Sequence, residues 1–188
     1  MRDLSLHLLD IARNSIVAKS TEIKIKVTED HKRDSLVLTI QDNGIGMDQK
    51  TIDKVLDPFF TTRKTRNVGL GLSLLKANCK TTGGDLVISS TPGIGTLVKA
   101  SFVYSNIDRP PLGDITASII TLILSEENFN FIFTYQYNDE SFSFSTNDIQ
   151  EILGCDVDIR NWTIINWIEA YINENIDSLK TICDKRDI

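Results

Sequence analysis

Three glycine pairs, Gly44-Ile-Gly46, Gly69-Leu-Gly71 and Gly93-Ile-Gly95, follow one another in the first hundred residues, each at the end of a strand-like or helix-like segment. Glycine lets a backbone turn where a side chain would collide, and lets it pass close to a ligand. The first pair follows an apolar run (Leu36, Val37, Leu38, Ile40) and Asp42. The second opens an apolar helical stretch, and the third precedes Thr96 and a new strand.

Hydrophobic spacing supplies the elements between these turns. Leu4, Leu8, Ile11, Ala12 and Ser15 recur at helical intervals, so residues 4–18 form a helix that carries Asp10 and Asn14 four apart on a common face. Ile23, Ile25 and Val27 alternate with lysines, and Leu36, Leu38 and Ile40 repeat the alternation, which predicts a hairpin with His31 in its charged, solvated loop. A short helix over 48–57 stops before Pro58, and the polar and basic segment 58–67 reads as a mobile loop. A helix over 70–82 ends at Gly83-Gly84, and strands follow near 85–90 and 96–104. The whole predicts a two-layer α/β sandwich, helices on a mixed sheet.

Asn106 to Gly113 contains Pro110-Pro111 and breaks both periodicities, so residues 106–113 are expected to be a linker and 114–188 a small α+β domain of its own. That tail reads as a helix (114–124), strands at 129–137 and 141–145, a helix capped by Thr146, and a final helix over 161–183. Phe129, Phe131, Phe133, Tyr135, Phe144, Trp162 and Trp167 are expected to form its core.

Upstream of the glycines lies Asp10-Ile-Ala-Arg-Asn14, and between the first two pairs lies Asp57-Pro-Phe-Phe-Thr-Thr-Arg63. An acidic/amide helix, Asp42-x-Gly44-x-Gly46, Phe59-Phe60, Gly69-x-Gly71-Leu72 and Gly93-x-Gly95-Thr96, in that order, resembles the Bergerat-type ATP-binding domain shared by sensor histidine kinases, gyrase, MutL and a dimeric heat-shock chaperone. The resemblance covers residues 1 to about 105, and the phenylalanine and Gly-Leu-Gly-Leu segments are most similar to those of the kinases. No Gly-x-x-x-x-Gly-Lys-Ser/Thr occurs, and no Gly-x-Gly-x-x-Gly follows a strand.

The resemblance implies ATP and magnesium as ligands. Asp42 would accept a hydrogen bond from the adenine amine, where guanine shows a carbonyl, although an Asp-Asn-Gly turn alone would account for the same residues. Asn14 would bind the metal, a neutral amide oxygen completing a shell otherwise made of phosphate and water. Asp10 stands where hydrolysing relatives carry Glu and kinases usually carry Asn or His. It would act as a weak general base, act through a water, or hold only the metal's water shell. Gly69, Leu70, Gly71 and Leu72 would present helix N–H groups to phosphate. Arg63 or Lys64 would reach the terminal phosphates when the loop closes over the nucleotide beside Phe59. Gly93, Gly95 and Thr96 would form the last turn of the pocket. Asn67 stands where the fuller motif has Gly, and Val17 where many kinases have Lys.

Charge and composition narrow the partners. Twenty basic against 26 acidic residues give a net charge of −6 without charged tails, which argues against nucleic acid. No apolar stretch approaches the roughly 20 residues of a membrane span, and no signal peptide opens the chain, so the expected location is the cytoplasm. Cys79, Cys155 and Cys183 lack metal or disulfide spacing and read as reduced thiols. His7 lacks the His-Glu setting of a phosphoacceptor.

Because the Asn14 helix begins at residue 3 with no helical hairpin before it, the acceptor is expected on another protein. The expected function is therefore Mg-ATP binding with γ-phosphoryl transfer to a His, Ser or Thr of a separate partner. The alternatives are an ATP-hydrolysing switch and a non-catalytic ATP sensor. The tail is expected to hold the partner or to make a homodimer. A chain ended near Ile107 is expected to retain nucleotide binding.

Overall fold

The structure, a computed structural model, describes residues 2–56, 70–125, 129–154 and 157–186. The first half contains α1 (Leu4–Val17), β1 (Glu22–Asp30), β2 (Ser35–Asp42), α2 (Gln49–Val55), α3 (Leu70–Thr81), β3 (Leu86–Thr91) and β4 (Gly95–Val103). The second contains α4 (Ile115–Ile123), β5 (Asn130–Tyr137), β6 (Glu140–Ser145), α5 (Thr146–Leu153) and α6 (Trp162–Arg186). Local chemistry explains several boundaries. Asp3, Asp48 and Asp114 cap α1, α2 and α4, each side chain accepting from a backbone N–H of the first turn. After α3 the chain reverses at Gly83, in the left-handed region, while the Gly84 N–H donates to the Cys79 carbonyl at 2.8 Å. The α5 cap falls one residue before the expected Thr146. Ser145 accepts from the Asn147 amide at 3.2 Å, because the Thr146 hydroxyl is engaged by the Phe131 N–H at 2.9 Å.

All six strands form one sheet, in the order β3-β4-β2-β1-β5-β6. Every neighbouring pair is antiparallel except β1 and β5, which run parallel with Ile23 opposite Phe131 and Val27 opposite Tyr135. Alternation sorts the faces. Ile23, Ile25, Val27, Leu36, Leu38 and Ile40 are buried, while Lys24, Lys26, Gln41 and Lys99 face solvent. Packing between α3 and α1, α1 and α4, and α4 and α6 makes one helical layer against the buried face. The expected two-layer α/β sandwich on a mixed sheet is therefore observed.

The expected boundary at 106–113 does not separate two cores. Phe131 and Phe133, fully buried on β5, belong to the same hydrophobic core as Ile23 and Ile25 of β1. The 106–113 segment is tied down at both ends. The Arg109 Nε donates to the Tyr104 carbonyl at 2.8 Å, and the Leu4 and Ser5 amides donate to the carbonyls of Pro111 and Leu112, each at 2.9 Å. Prolines here open the crossover that leaves the sheet after β4, passes through α4 and returns to the sheet as β5 beside β1. Local sequence shows that periodicity breaks, and only the strand pairing shows that the core continues.

A polar seam joins the two halves at the far end of β1. The buried Tyr135 hydroxyl donates to Glu29, itself buried, and Lys180 lies over the Tyr135 ring at 5.6 Å. Burial first, and Glu29 second, push the Tyr135 pKa well above the ordinary phenol value. His31, expected in a solvated loop, packs between the rings of Tyr104 and Tyr137, at 4.2 and 4.7 Å between centroids. Of the aromatics expected in a tail core, Phe131, Phe133, Tyr135 and Phe144 are buried, but Trp162 and Trp167 are 74% and 53% exposed on the outer side of α6. Cys79 is buried, and burial raises its thiol pKa to about 12, so it stays protonated.

Candidate nucleotide site

Antiparallel pairing places the end of β2, the start of β4 and the end of β3 at one edge of the sheet, beside the C-terminal turn of α1. Asp42 closes β2 there, half-buried. Its Oδ2 accepts from the Ser15 hydroxyl of α1 at 2.6 Å, and its Oδ1 accepts from the Gly44 N–H at 2.9 Å. Both carboxylate oxygens are thus fixed by short contacts, and each retains a lone pair for one further donor. Ser15 counted in the sequence only as a member of the buried helical face. Its serine identity at that spacing, next to Asn14, was the signal available.

The turn after Asp42 is stapled to the β3–β4 turn. The Ile45 N–H donates to the Ala18 carbonyl at 3.0 Å, the Gly93 N–H to the Ile45 carbonyl at 2.7 Å, and the Met47 N–H to the Ser90 hydroxyl at 2.8 Å. That hydroxyl also donates to the Gly95 carbonyl at 2.9 Å and lies 2.8 Å from the Thr96 hydroxyl. Gly95 has φ +135, and a Cβ there would sit 2.0 Å from the Asp42 carbonyl oxygen. Only glycine fits both its conformation and its neighbour. The structure therefore brings Asp42, Gly44, Gly46, Gly93, Gly95 and Thr96 together, with Ser90 as a tether that the sequence did not single out. Asn43 serves the scaffold, its Oδ1 accepting from the Thr21 and Glu22 amides, both at 2.9 Å.

A second cluster lines α1 and the first turn of α3. Asp10 is half-buried and Asn14, one turn on, is exposed. A Cβ on Gly71 would lie 2.1 Å from the Asp10 Oδ2, so Asp10 can rest against the start of α3 only because Gly71 has no side chain. Leu72 packs partly buried against the core, and α3 starts at Leu70. Phe59, Arg63, Lys64 and Gly69 lie outside the described residues. A half-buried carboxylate and an exposed amide one helical turn apart supply hard oxygen donors, which suits magnesium. Among the described residues no three His, Cys, Asp or Glu side chains are grouped to hold a metal. The donor set thus fits a magnesium ion that brings phosphate and water as its other ligands.

Fold and site together define a nucleotide-type α/β domain with a clamped acidic side chain at a glycine-turned sheet edge. A family profile described as histidine kinase-, DNA gyrase B-, and HSP90-like ATPase matches residues 2–105, and the chain belongs to that family. It is 37% identical over 103 residues to a putative sensor protein of Shewanella frigidimarina, covering 54% of this chain and 16% of that protein. It is 38% identical over 89 residues to the signal transduction histidine-protein kinase AtoS of Escherichia coli K12, covering 47% and 14%. The sensor protein kinase FleS of Pseudomonas aeruginosa shares 40% over 108 residues, covering 57% and 26%. The chain therefore spans about a quarter or less of the length of these relatives. A crystal structure of the N-terminal domain of a DNA repair protein has the same fold at 18% identity, with a TM-score of 0.53 over 78% of this chain and 53% of that one.

Proposed function

We propose that this chain binds Mg-ATP and transfers its γ-phosphoryl group to a side chain of a separate protein. The observation that carries the reading is the Asp42 carboxylate, held by Ser15 and Gly44 with a lone pair left for the adenine amine. Asp42 reads the base, and the Gly44–Gly46 and Gly93–Gly95 turns bring backbone close to its flat faces. Asn14 binds magnesium, which neutralises phosphate charge when present. Arg63 and Lys64, with Phe59 and Gly69, lie outside the described residues and are assigned to ATP binding on the sequence motif alone. The similarity to histidine kinases over residues 2–105 supports transfer, and the absence of any described helix long and apolar enough to cross a membrane accords with a cytoplasmic setting. The partner meets the outer face of α6, where Trp162 and Trp167 are exposed and Trp167 stacks on Tyr171 at 5.0 Å.

One observation favours hydrolysis as the second reading. Asp10 lies against Gly71, so an acidic side chain sits at the first turn of the helix expected to meet phosphate. Purified protein, its Asp10→Ala variant and its Asn14→Ala variant, each given γ-labelled ATP, separate the readings. Transfer predicts label on an added partner protein, little free phosphate without it, and loss of both in Asn14→Ala. Steady phosphate release without a partner, abolished in Asp10→Ala with ATP affinity intact, would replace transfer with the switch.

A further inference from the structure

His7 is the one histidine of α1, and it is almost fully buried, 1% exposed. A leucine would fill such a place without placing polar atoms in the core. Its two ring nitrogens have different settings. Nε2 lies 3.3 Å from the Nδ2 of Asn78 on α3; with the Asn78 amide in this orientation its nitrogen donates, Nε2 accepts and the ring proton falls on Nδ1. Among the described residues Nδ1 is buried and makes no hydrogen bond of ordinary geometry, although the Gly71 backbone lies close enough to act on the ring. A buried donor left unmade is destabilising, so such a group in a folded chain calls for a reason.

The surroundings supply one. Asp10 follows His7 by one helical turn, and the charge of Asp10 and the backbone of Gly71 both act on the imidazole. Gly71 is also the residue whose missing side chain leaves room for the Asp10 Oδ2. His7, Asp10 and Gly71 thus meet at one junction between α1 and α3, and Asn78, two turns further along α3, holds the other side of the ring. We propose that His7 is a positioning residue for Asp10, a neutral imidazole anchored at Nε2 by Asn78 that offers its Nδ1–H at the Asp10–Gly71 contact and so ties the acidic side chain to the first turn of α3. Burial lowers the His7 pKa from its usual value, in keeping with a neutral ring. The consequence for turnover rests on the nucleotide reading above, but the hydrogen-bonding state of the ring does not.

Two measurements on the full chain test the proposal. Nitrogen-15 NMR of the imidazole is expected to show a protonated Nδ1 and an unprotonated Nε2. Asp10→Asn should shift the Nδ1 resonance, and Asn78→Leu the Nε2 resonance. A proton on Nε2, or an Nδ1 signal indifferent to Asp10→Asn, overturns the assignment whether or not the protein turns ATP over. The second measurement uses geometry. Asparagine places an amide nitrogen near the position of Nδ1 and glutamine near that of Nε2. With ATP Kd unchanged in both, His7→Gln should lose about tenfold or more in kcat and His7→Asn should restore most of it. Equal losses in the two variants, or losses that follow only their urea midpoints, would make His7 a core residue and nothing more. If wild-type protein shows neither transfer nor hydrolysis, the functional reading fails, and the NMR result still decides the role of His7.

Discussion

The two ends of the sheet are built by different means. At the nucleotide end, Asp42, Gly44, Ser90, Gly93 and Gly95 are joined through backbone groups and short side chains, with little apolar mass. At the β5–β6 side, Phe131, Phe133, Tyr135 and Phe144 fill the core, and α6 covers them. The first region is specified by residues that must be what they are, because a hydrogen bond or a missing Cβ decides. The second is specified by volume and alternation, which many sequences satisfy. A site can therefore be read as a motif, whereas a packed extension shows itself only as a pattern.

Removing the second region sharpens the contrast most. A chain ended at Ile107 retains all of the nucleotide motifs but loses β5, and with it the parallel partner of β1 and the cover of Ile23 and Ile25. Burial of one Phe contributes about 1.5–3 kcal/mol, so Phe131 and Phe133 together contribute about 3–6 kcal/mol, comparable with the roughly 5–15 kcal/mol by which domains are usually stable. The fragment is expected to show no cooperative urea transition. A folded fragment with full-length ATP affinity would restore two separable domains.

Single glycines in the first region come next. Gly95→Ala forces a Cβ to within 2.0 Å of the Asp42 carbonyl oxygen in a conformation L-residues rarely adopt, whereas at Gly93, φ +75, nothing lies within 4 Å of the new Cβ. Gly95→Ala should cost roughly 2–4 kcal/mol in urea unfolding, and Gly93→Ala about 1–2 kcal/mol for the left-handed backbone alone. Equal costs would mean that the turn relaxes freely and that its close packing decides nothing.

The strand alternation, the glycine turns, and the Asp10 and Asn14 helix were all legible in the sequence, because each rests on local spacing. The tail was legible element by element and misread as a unit. Pro110-Pro111 ends one periodic stretch, while the contact that rejoins the core lies between Ile23 and Phe131, far apart in the chain. Trp162 and Trp167 were assigned to the core by size, yet on α6 they fall outside the buried stripe of Ile165, Ile168 and Ile172. Ser15 and Ser90 were missed for the opposite reason. Ser15 had only its spacing beside Asn14 to mark it and Ser90 had no pattern, and only the fold aims them at Asp42 and at the Met47 amide.

A smaller effect links pH to the α1–α3 junction. Burial holds the His7 pKa below its usual 6.5. A base depressed in the folded state contributes stability that is present above the unfolded value and is lost as pH falls through the folded pKa. The urea midpoint should therefore fall on acidification below about pH 6.5, and fall less in His7→Leu. Identical acid slopes for wild type and His7→Leu would show that the ring is hydrated in the native state. Ser15→Ala, which removes one short hydrogen bond to the Asp42 carboxylate, should cost about 1.5–3 kcal/mol in urea unfolding.

The central claim is that the clamped Asp42 carboxylate selects adenine, and calorimetry of the full chain with magnesium tests it most directly. ATP should bind in preference to GTP. Asp42→Asn, which removes one charge-assisted hydrogen bond of about 1.5–3 kcal/mol, should weaken ATP binding on the order of ten- to a hundredfold while leaving GTP binding nearly unchanged. Equal affinity of the wild-type chain for ATP and GTP, or an Asp42→Asn variant that binds ATP as the wild type does, would contradict it.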